Sequence, residues 1–146
     1  MKDYENFEKK IISPKNRFDL LLKDRKELSK TFDKSNILIT GAAGSIGKAF
    51  CSDLISYNFK NLYLLDKNEN ELTELNRELI LKFGKKKNKK INYICSDIAL
   101  VNLDNLLQEK NISHYLNFAA IKHVRSEEEL LSTKYMFLTN SKKFLP

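Results

Sequence analysis

The chain has no tryptophan, two cysteines, two prolines and only four glycines among its 146 residues. So little glycine and proline excludes collagen-like and low-complexity architecture, and a hydrophobic content of 42% excludes wholesale disorder. Long apolar runs are also missing. The longest are a few residues, Ile37–Ile39 and Leu62–Leu65 among such short runs, far short of the roughly 18–20 residues that cross a bilayer. Met1–Lys10 is too charged for a secretory leader. Cys51 and Cys95 lack CxxC spacing, which argues against a zinc or disulfide framework. Both lie in apolar stretches and are expected to be buried thiols in a reducing compartment. The expectation is a soluble cytoplasmic chain with no membrane segment and no metal site, long enough for one domain and too short for two.

Charge of one sign is concentrated rather than spread. The stretch from Lys82 to Lys90 holds six lysines and no acid, and without them the net charge falls from +7 to +1. A Gly and an Asn inside this run, between two apolar segments, predict a solvated loop. Binding to a nucleic-acid backbone needs cations spread along a face with aromatics to stack bases, an arrangement this run lacks. No nucleic-acid partner is expected.

What is present is an alternation. Up to Lys34 the chain is charged, with Phe18, Leu21, Leu22, Leu28 and Phe32 at helical offsets after Pro14. Residues 1–34 are therefore expected to form a helical appendage, and 35–146 the domain proper. Ile37–Thr40 reads as a strand, and Ile46, Ala49, Phe50 and Leu54 recur with the period of a helix face. Asn61–Asp66 reads as a second strand, followed by an amphipathic helix marked by Leu72, Leu75, Leu79 and Phe83. Ile91–Cys95 and His114–Phe118 make strands three and four, with a short helix at Leu103, Leu106 and Leu107 between them. Val124 to about Asn140 reads as a last helix. Strand–helix alternation on this beat predicts an α/β fold: a Rossmann-type parallel sheet of about four strands in the order 3-2-1-4, flanked by helices.

Gly41, Gly44 and Gly47 sit between the first strand and its helix. Such a loop needs one glycine for the tight turn, one for backbone approach to a pyrophosphate and one for close packing of the helix. The N–H groups and dipole of a helix starting at Ser45–Ile46 then face the phosphates. Asp66 ends the second strand 19 residues after Gly47, where an acid hydrogen-bonds a ribose hydroxyl. The competing phosphate loop fails, because Ala42 stands at its first glycine and Ala49 at its Ser/Thr. Dinucleotide binding is the expectation. Asp66 suits NAD and repels the 2′-phosphate of NADP, while the adjacent Lys67 softens that repulsion and keeps NADP open.

Thr40–Gly47 resembles the T-G-x-x-G-x-x-G loop of extended short-chain dehydrogenases/reductases. Together with Leu64–Glu69, Ser96–Ile98 and Asn117–Glu127 it is similar to the CapD-type polysaccharide biosynthesis family, nucleotide-sugar 4,6-dehydratases and epimerases acting on UDP-N-acetylhexosamines. The resemblance runs from about Asn36 to Asn140. It implies that Gly41, Gly44, Ser45, Ile46 and Gly47 hold the pyrophosphate, Asp66 the adenosine ribose, and Asp97 and Ile98 the adenine. Ala119 and Ala120 would line the groove, Lys122 would reach the nicotinamide ribose or phosphates, and Asn140 matches the Asn of the family's T-N-V-x-G-T helix. Ser141–Phe144 departs from that motif. Asp97 has a second role open to it as a strand end or helix cap, Lys122 as a solvent-facing lysine, and His123 as a structural residue. Glu127–Glu129 is expected at the exposed start of a helix.

The family's catalytic tyrosine and lysine, in Tyr-x-x-x-Lys, come from strand five and the helix after it. Here that spacing occurs once, at Tyr63–Lys67 inside the second strand, a coincidence of spacing that assigns no catalytic residue. The chain is therefore expected to be incomplete relative to the family and inactive alone, with the missing C-terminal half or a second copy as partner. A stand-alone nucleotide-binding regulatory or partner-binding module is the alternative.

Overall fold

The computed structural model describes residues 22–121 and 129–140. The described elements are α1 (Leu22–Phe32), β1 (Asn36–Thr40), α2 (Ser45–Leu54), β2 (Asn61–Asp66), α3 (Glu69–Phe83), α4 (Lys85–Asn88), β3 (Ile91–Cys95), α5 (Leu103–Glu109), β4 (His114–Asn117) and α6 (Leu130–Asn140). The strands form one parallel sheet in the order β3-β2-β1-β4, as the alternation predicts.

β1 is central and every residue of it is buried, the pattern of a strand covered on both faces. Ile37 and Ile39 share one face with Leu62 and Leu64 of β2, against Cys51 and Leu54 of α2 and Leu72, Leu75 and Leu79 of α3. Leu38 and Leu65 point the other way, with Ile98 and, partly buried, Leu103, Leu106 and Leu107 of α5. Asn68 caps α3 by accepting from the Glu71 N–H at 3.2 Å, and Asn102 caps α5 through the Asn105 N–H at 3.1 Å. Phe32 is buried at the end of α1, edge-on to Tyr57 and to His114 at the start of β4, so α1 packs on the sheet edge.

Four expectations change. The buried stripe of α2 is Gly47, Cys51 and Leu54 with Phe50 half-buried, while Ile46 is 60% exposed and Ala49 is exposed. The face turns because the glycine, not a large side chain, meets the preceding loop. The lysine run is not wholly loop: after Gly84 ends α3, a short helical turn forms at Lys85–Asn88. Asn88 anchors it, donating to the Asn76 side chain and accepting from the Tyr93 hydroxyl. Cys51 is buried as expected, but Cys95 is exposed, because β3 is an edge strand and ends at that residue. β4 stops at Asn117, one residue early, since Asn117 turns its side chain to the chain's own backbone. α6 is described from Leu130; Glu129 before it is exposed and accepts from the N–H groups of Leu131 and Ser132, the start-of-helix role expected of this acid. Phe18, Leu21, Val124 and His123 lie outside the described residues.

Candidate functional site

The loop between β1 and α2 is shaped by two glycines for reasons internal to the protein. Gly41 has φ of +67°, and a Cβ there would stand 2.4 Å from the Ala119 backbone N. A Cβ on Gly47 would meet the Gly41 carbonyl oxygen at 2.2 Å. Gly44 is different. Its backbone is extended, with φ −69° and ψ 164°, and a Cβ there would make only an ordinary contact, 3.4 Å from the Gly41 oxygen. Neither conformation nor packing demands glycine at 44; the space its missing side chain leaves is at a cavity wall.

Hydrogen bonds tie this loop to its neighbours. Asp66 accepts from the Ala43 N–H with one carboxylate oxygen and from the Asn68 N–H with the other, both at 3.0 Å. The Ala42 N–H donates to the Leu65 carbonyl, and the Ser96 N–H to that of Asp66. On the other side, Asn117 accepts from the Thr40 hydroxyl at 2.6 Å and from the Ala119 N–H at 2.9 Å, holding the β4 exit against Gly41. The Tyr115 hydroxyl lies 3.4 Å from that of Thr40, and burial raises its pKa.

These loops enclose a cavity of about 160 Å³ at the C-terminal ends of the strands, where open α/β sheets bind ligands. Gly41, Gly44, Asp66 and Lys67 line it from the first two strands. Asp97 and Ile98 line it after β3, and Ala119 and Ala120 after β4. Ser45 and Ile46 stand exposed in the first turn of α2, whose N-terminus no side chain caps. Gly47 is buried beneath the loop. Asn140 is not in the cavity wall: its side-chain amide accepts from the Ile121 N–H and donates to the Ile121 carbonyl, bracing the β4 exit. Lys122 lies outside the described residues. Asp97 does cap its own turn, accepting from the Ala99 N–H at 2.8 Å, yet it also faces the cavity.

Tyr135 and Thr139, both on α6, complete the wall and were not foreseen. Their i, i+4 spacing one residue before Asn140 puts them on one helix face, and that spacing was the available signal. The Tyr135 hydroxyl donates to the Asp97 carboxylate and accepts from the Lys67 ammonium at 3.2 Å. That hydrogen bond, with attraction from Asp97 and Asp66, raises the Lys67 pKa. The Thr139 hydroxyl is buried without a hydrogen-bond partner among the described residues. Among those residues, no helix is long and apolar enough to cross a membrane.

Comparison with known proteins agrees with this architecture. A short-chain dehydrogenase/reductase from Brucella melitensis superposes with TM-score 0.60 at 21% identity, over 78% of this chain and 48% of that one, and shows the fold. Pen from Bacillus thuringiensis superposes with TM-score 0.60 at 30% identity, over 76% of this chain and 33% of that one. A UDP-glucuronic acid 4-epimerase variant from Bacillus cereus, solved with a fluorinated UDP-glucuronic acid and NAD, gives TM-score 0.56 at 27% identity, over 73% and 32%. In sequence, an uncharacterised membrane protein of Methanocaldococcus jannaschii is 32% identical over 67% of this chain. The probable polysaccharide biosynthesis protein EpsC of Bacillus subtilis is 36% identical over 42% of it. This chain spans 27% of the archaeal relative's length and 10% of EpsC's. The signature of a polysaccharide biosynthesis protein family matches residues 37–140, from the first strand of the sheet to the Asn140 that braces the cavity, and the chain belongs to that family.

Proposed function

We propose that this chain holds the NAD of a nucleotide-sugar dehydratase or epimerase of the CapD type, acting on UDP-N-acetylhexosamines in surface polysaccharide synthesis. The observation that carries this is Gly44, a glycine required by neither backbone nor packing, at the wall of a cavity beside an uncapped helix N-terminus. A pyrophosphate would pass where its side chain is missing. The Thr139 hydroxyl, without a partner among the described residues, offers a hydrogen bond from the same cavity wall. At about 160 Å³ the cavity is smaller than the roughly 300–1,000 Å³ of whole small-molecule sites, which fits one end of an elongated ligand.

In this reading the residues fit the cofactor as follows. Gly41, Gly44, Ser45 and Ile46 approach the pyrophosphate, Gly47 packs beneath them to hold the loop, and Asp66 both ties down the loop and faces the adenosine ribose. Asp97 and Ile98 flank the adenine and Ala119 and Ala120 line the groove; the resemblance assigns Lys122, outside the described residues, to the nicotinamide side. Bound NAD would supply reversible hydride acceptance from the sugar. The proton-transferring tyrosine–lysine pair and the sugar pocket would come from sequence beyond this chain. Tyr63–Lys67 does not serve, since Tyr63 packs on the sheet beside Leu65 and the Lys67 ammonium donates to Tyr135.

Calorimetric titration of the folded chain with NAD tests the reading. Gly44→Ala is expected to keep the fold, because its φ of −69° suits alanine. It should weaken NAD at least about tenfold by filling the approach to the pyrophosphate. A wild-type chain that binds no NAD, or a Gly44→Ala chain that binds it equally well, would overturn the proposal.

A further inference from the structure

Three charged side chains meet at the end of the cavity formed by β2 and β3: Asp66, Lys67 and Asp97. Among the described residues that line the cavity, Lys67 is the one cation. Its ammonium does not project freely toward the ribose side. It donates to the Tyr135 hydroxyl at 3.2 Å and lies 5.3 Å from the centre of the same ring. That hydroxyl is anchored in turn on the Asp97 carboxylate. Tyr135 therefore reaches from α6 across the gap between the β2 and β3 exits and holds the cation to the β3 side. Thr139, one turn on, lines the same cavity with a buried hydroxyl that has no partner among the described residues, which marks this end of α6 as facing a ligand.

We propose that Tyr135 is a positioning residue that sets cofactor choice: by tethering Lys67 to Asp97 it withholds the cation from a ribose 2′-phosphate and leaves Asp66 to favour the free 2′-hydroxyl of NAD. This rests on the dinucleotide reading above and deepens it. The physical argument is a count of charge and of donors. Two carboxylates and one ammonium leave the cluster net negative, which repels a 2′-phosphate. NADP would need the Lys67 donors to turn toward it, at the cost of the charge-assisted hydrogen bond to Tyr135. Loss of the hydroxyl removes that cost while the ring stays in place.

The test is titration of the full chain with NAD and with NADP. Wild type should prefer NAD. Tyr135→Phe should tighten NADP by about fivefold and leave NAD within about twofold, the size of one exchanged charged contact. In a Lys67→Ala background the same substitution should give no gain for NADP. Lys67→Ala alone should weaken NADP by less than about threefold, because the tethered ammonium makes no direct phosphate contact; this holds even if Tyr135→Phe fails to fold. Equal weakening of both cofactors, an unchanged ratio, a gain that persists without Lys67, or a tenfold loss of NADP in Lys67→Ala would each overturn this inference alone. A wild-type chain that binds neither nucleotide would overturn it together with the dinucleotide reading.

Discussion

The two faces of the sheet are built to different densities. One face packs Ile37, Ile39, Leu62 and Leu64 against Cys51, Leu54, Leu72, Leu75 and Leu79, with Ile55 and Phe59 closing the end, all at most 4% exposed. The other has, among the described residues, Leu38, Leu65 and Ile98 as its buried members, and its helix α5 contributes only partly buried leucines. Leu65 and Ile98 belong to this thinner face and also to the cavity wall. The difference separates two tasks. The packed face holds strands and glycine loop in register, while the thin face leaves the cavity open at the strand ends.

The largest expected effect tests that separation directly. Leu64→Ala, at the centre of the packed face and fully buried, should destabilise the chain by about 3 kcal/mol. Leu106→Ala on α5, only partly buried, should cost about 1 kcal/mol. Urea denaturation of the two variants measures both. Equal losses would mean that the two faces carry the fold alike.

A middle-sized effect comes from the thiol within the packed face. Burial pushes the Cys51 pKa up to about 12, whereas in the unfolded chain it returns to its ordinary 9.0. The sign follows from proton binding. Between those values the unfolded state releases the thiol proton and the folded state keeps it, so stability is intact below pH 9 and falls as pH rises. The slope should approach about 1 kcal/mol per pH unit. The comparison is wild type against Cys51→Ala by denaturation at pH 8 and pH 10. A pH slope identical in the two chains would show that the packed face is open enough to solvate a thiolate. Exposed Cys95 should meanwhile react with a thiol reagent in the native state, and Cys51 should not.

How legible was this in the sequence? The strand order was readable because each apolar run is short, β-rich and followed by a helical period, and those signals are local. The glycine loop and Asp66 were legible from local spacing too, whereas Asp97, Ile98, Ala119 and Ala120 were named only through the family resemblance; the structure places all four at the cavity. Ile46 was misassigned to the buried face because periodicity registers apolar residues, and the residue that packs there is Gly47. Cys95 looked buried within an apolar run, but exposure depends on which strand lies at the sheet edge. Tyr135 was invisible for a different reason. Its partners Lys67 and Asp97 are 68 and 38 residues away, and only the folded sheet brings the exits of β2 and β3 under α6.

The smallest effect lies on the rim of the packed face. Lys48 of α2 and Glu71 of α3 form an ion pair at 2.5 Å, and the hydrogen bond to Glu71 raises the Lys48 pKa. Glu71 is about half exposed, so water and salt screen the attraction. A double-mutant cycle with Lys48→Met and Glu71→Gln should return a coupling of about 0.5 kcal/mol that shrinks further in 1 M salt. Because the folded-state pKa of Lys48 is raised, this coupling is complete below 10.5 and disappears as pH climbs through the raised value. A coupling that survives high salt would move α2 and α3 from passive cover to electrostatically clamped helices. The density of the face beneath them would then be a consequence of the clamp as well as of apolar burial.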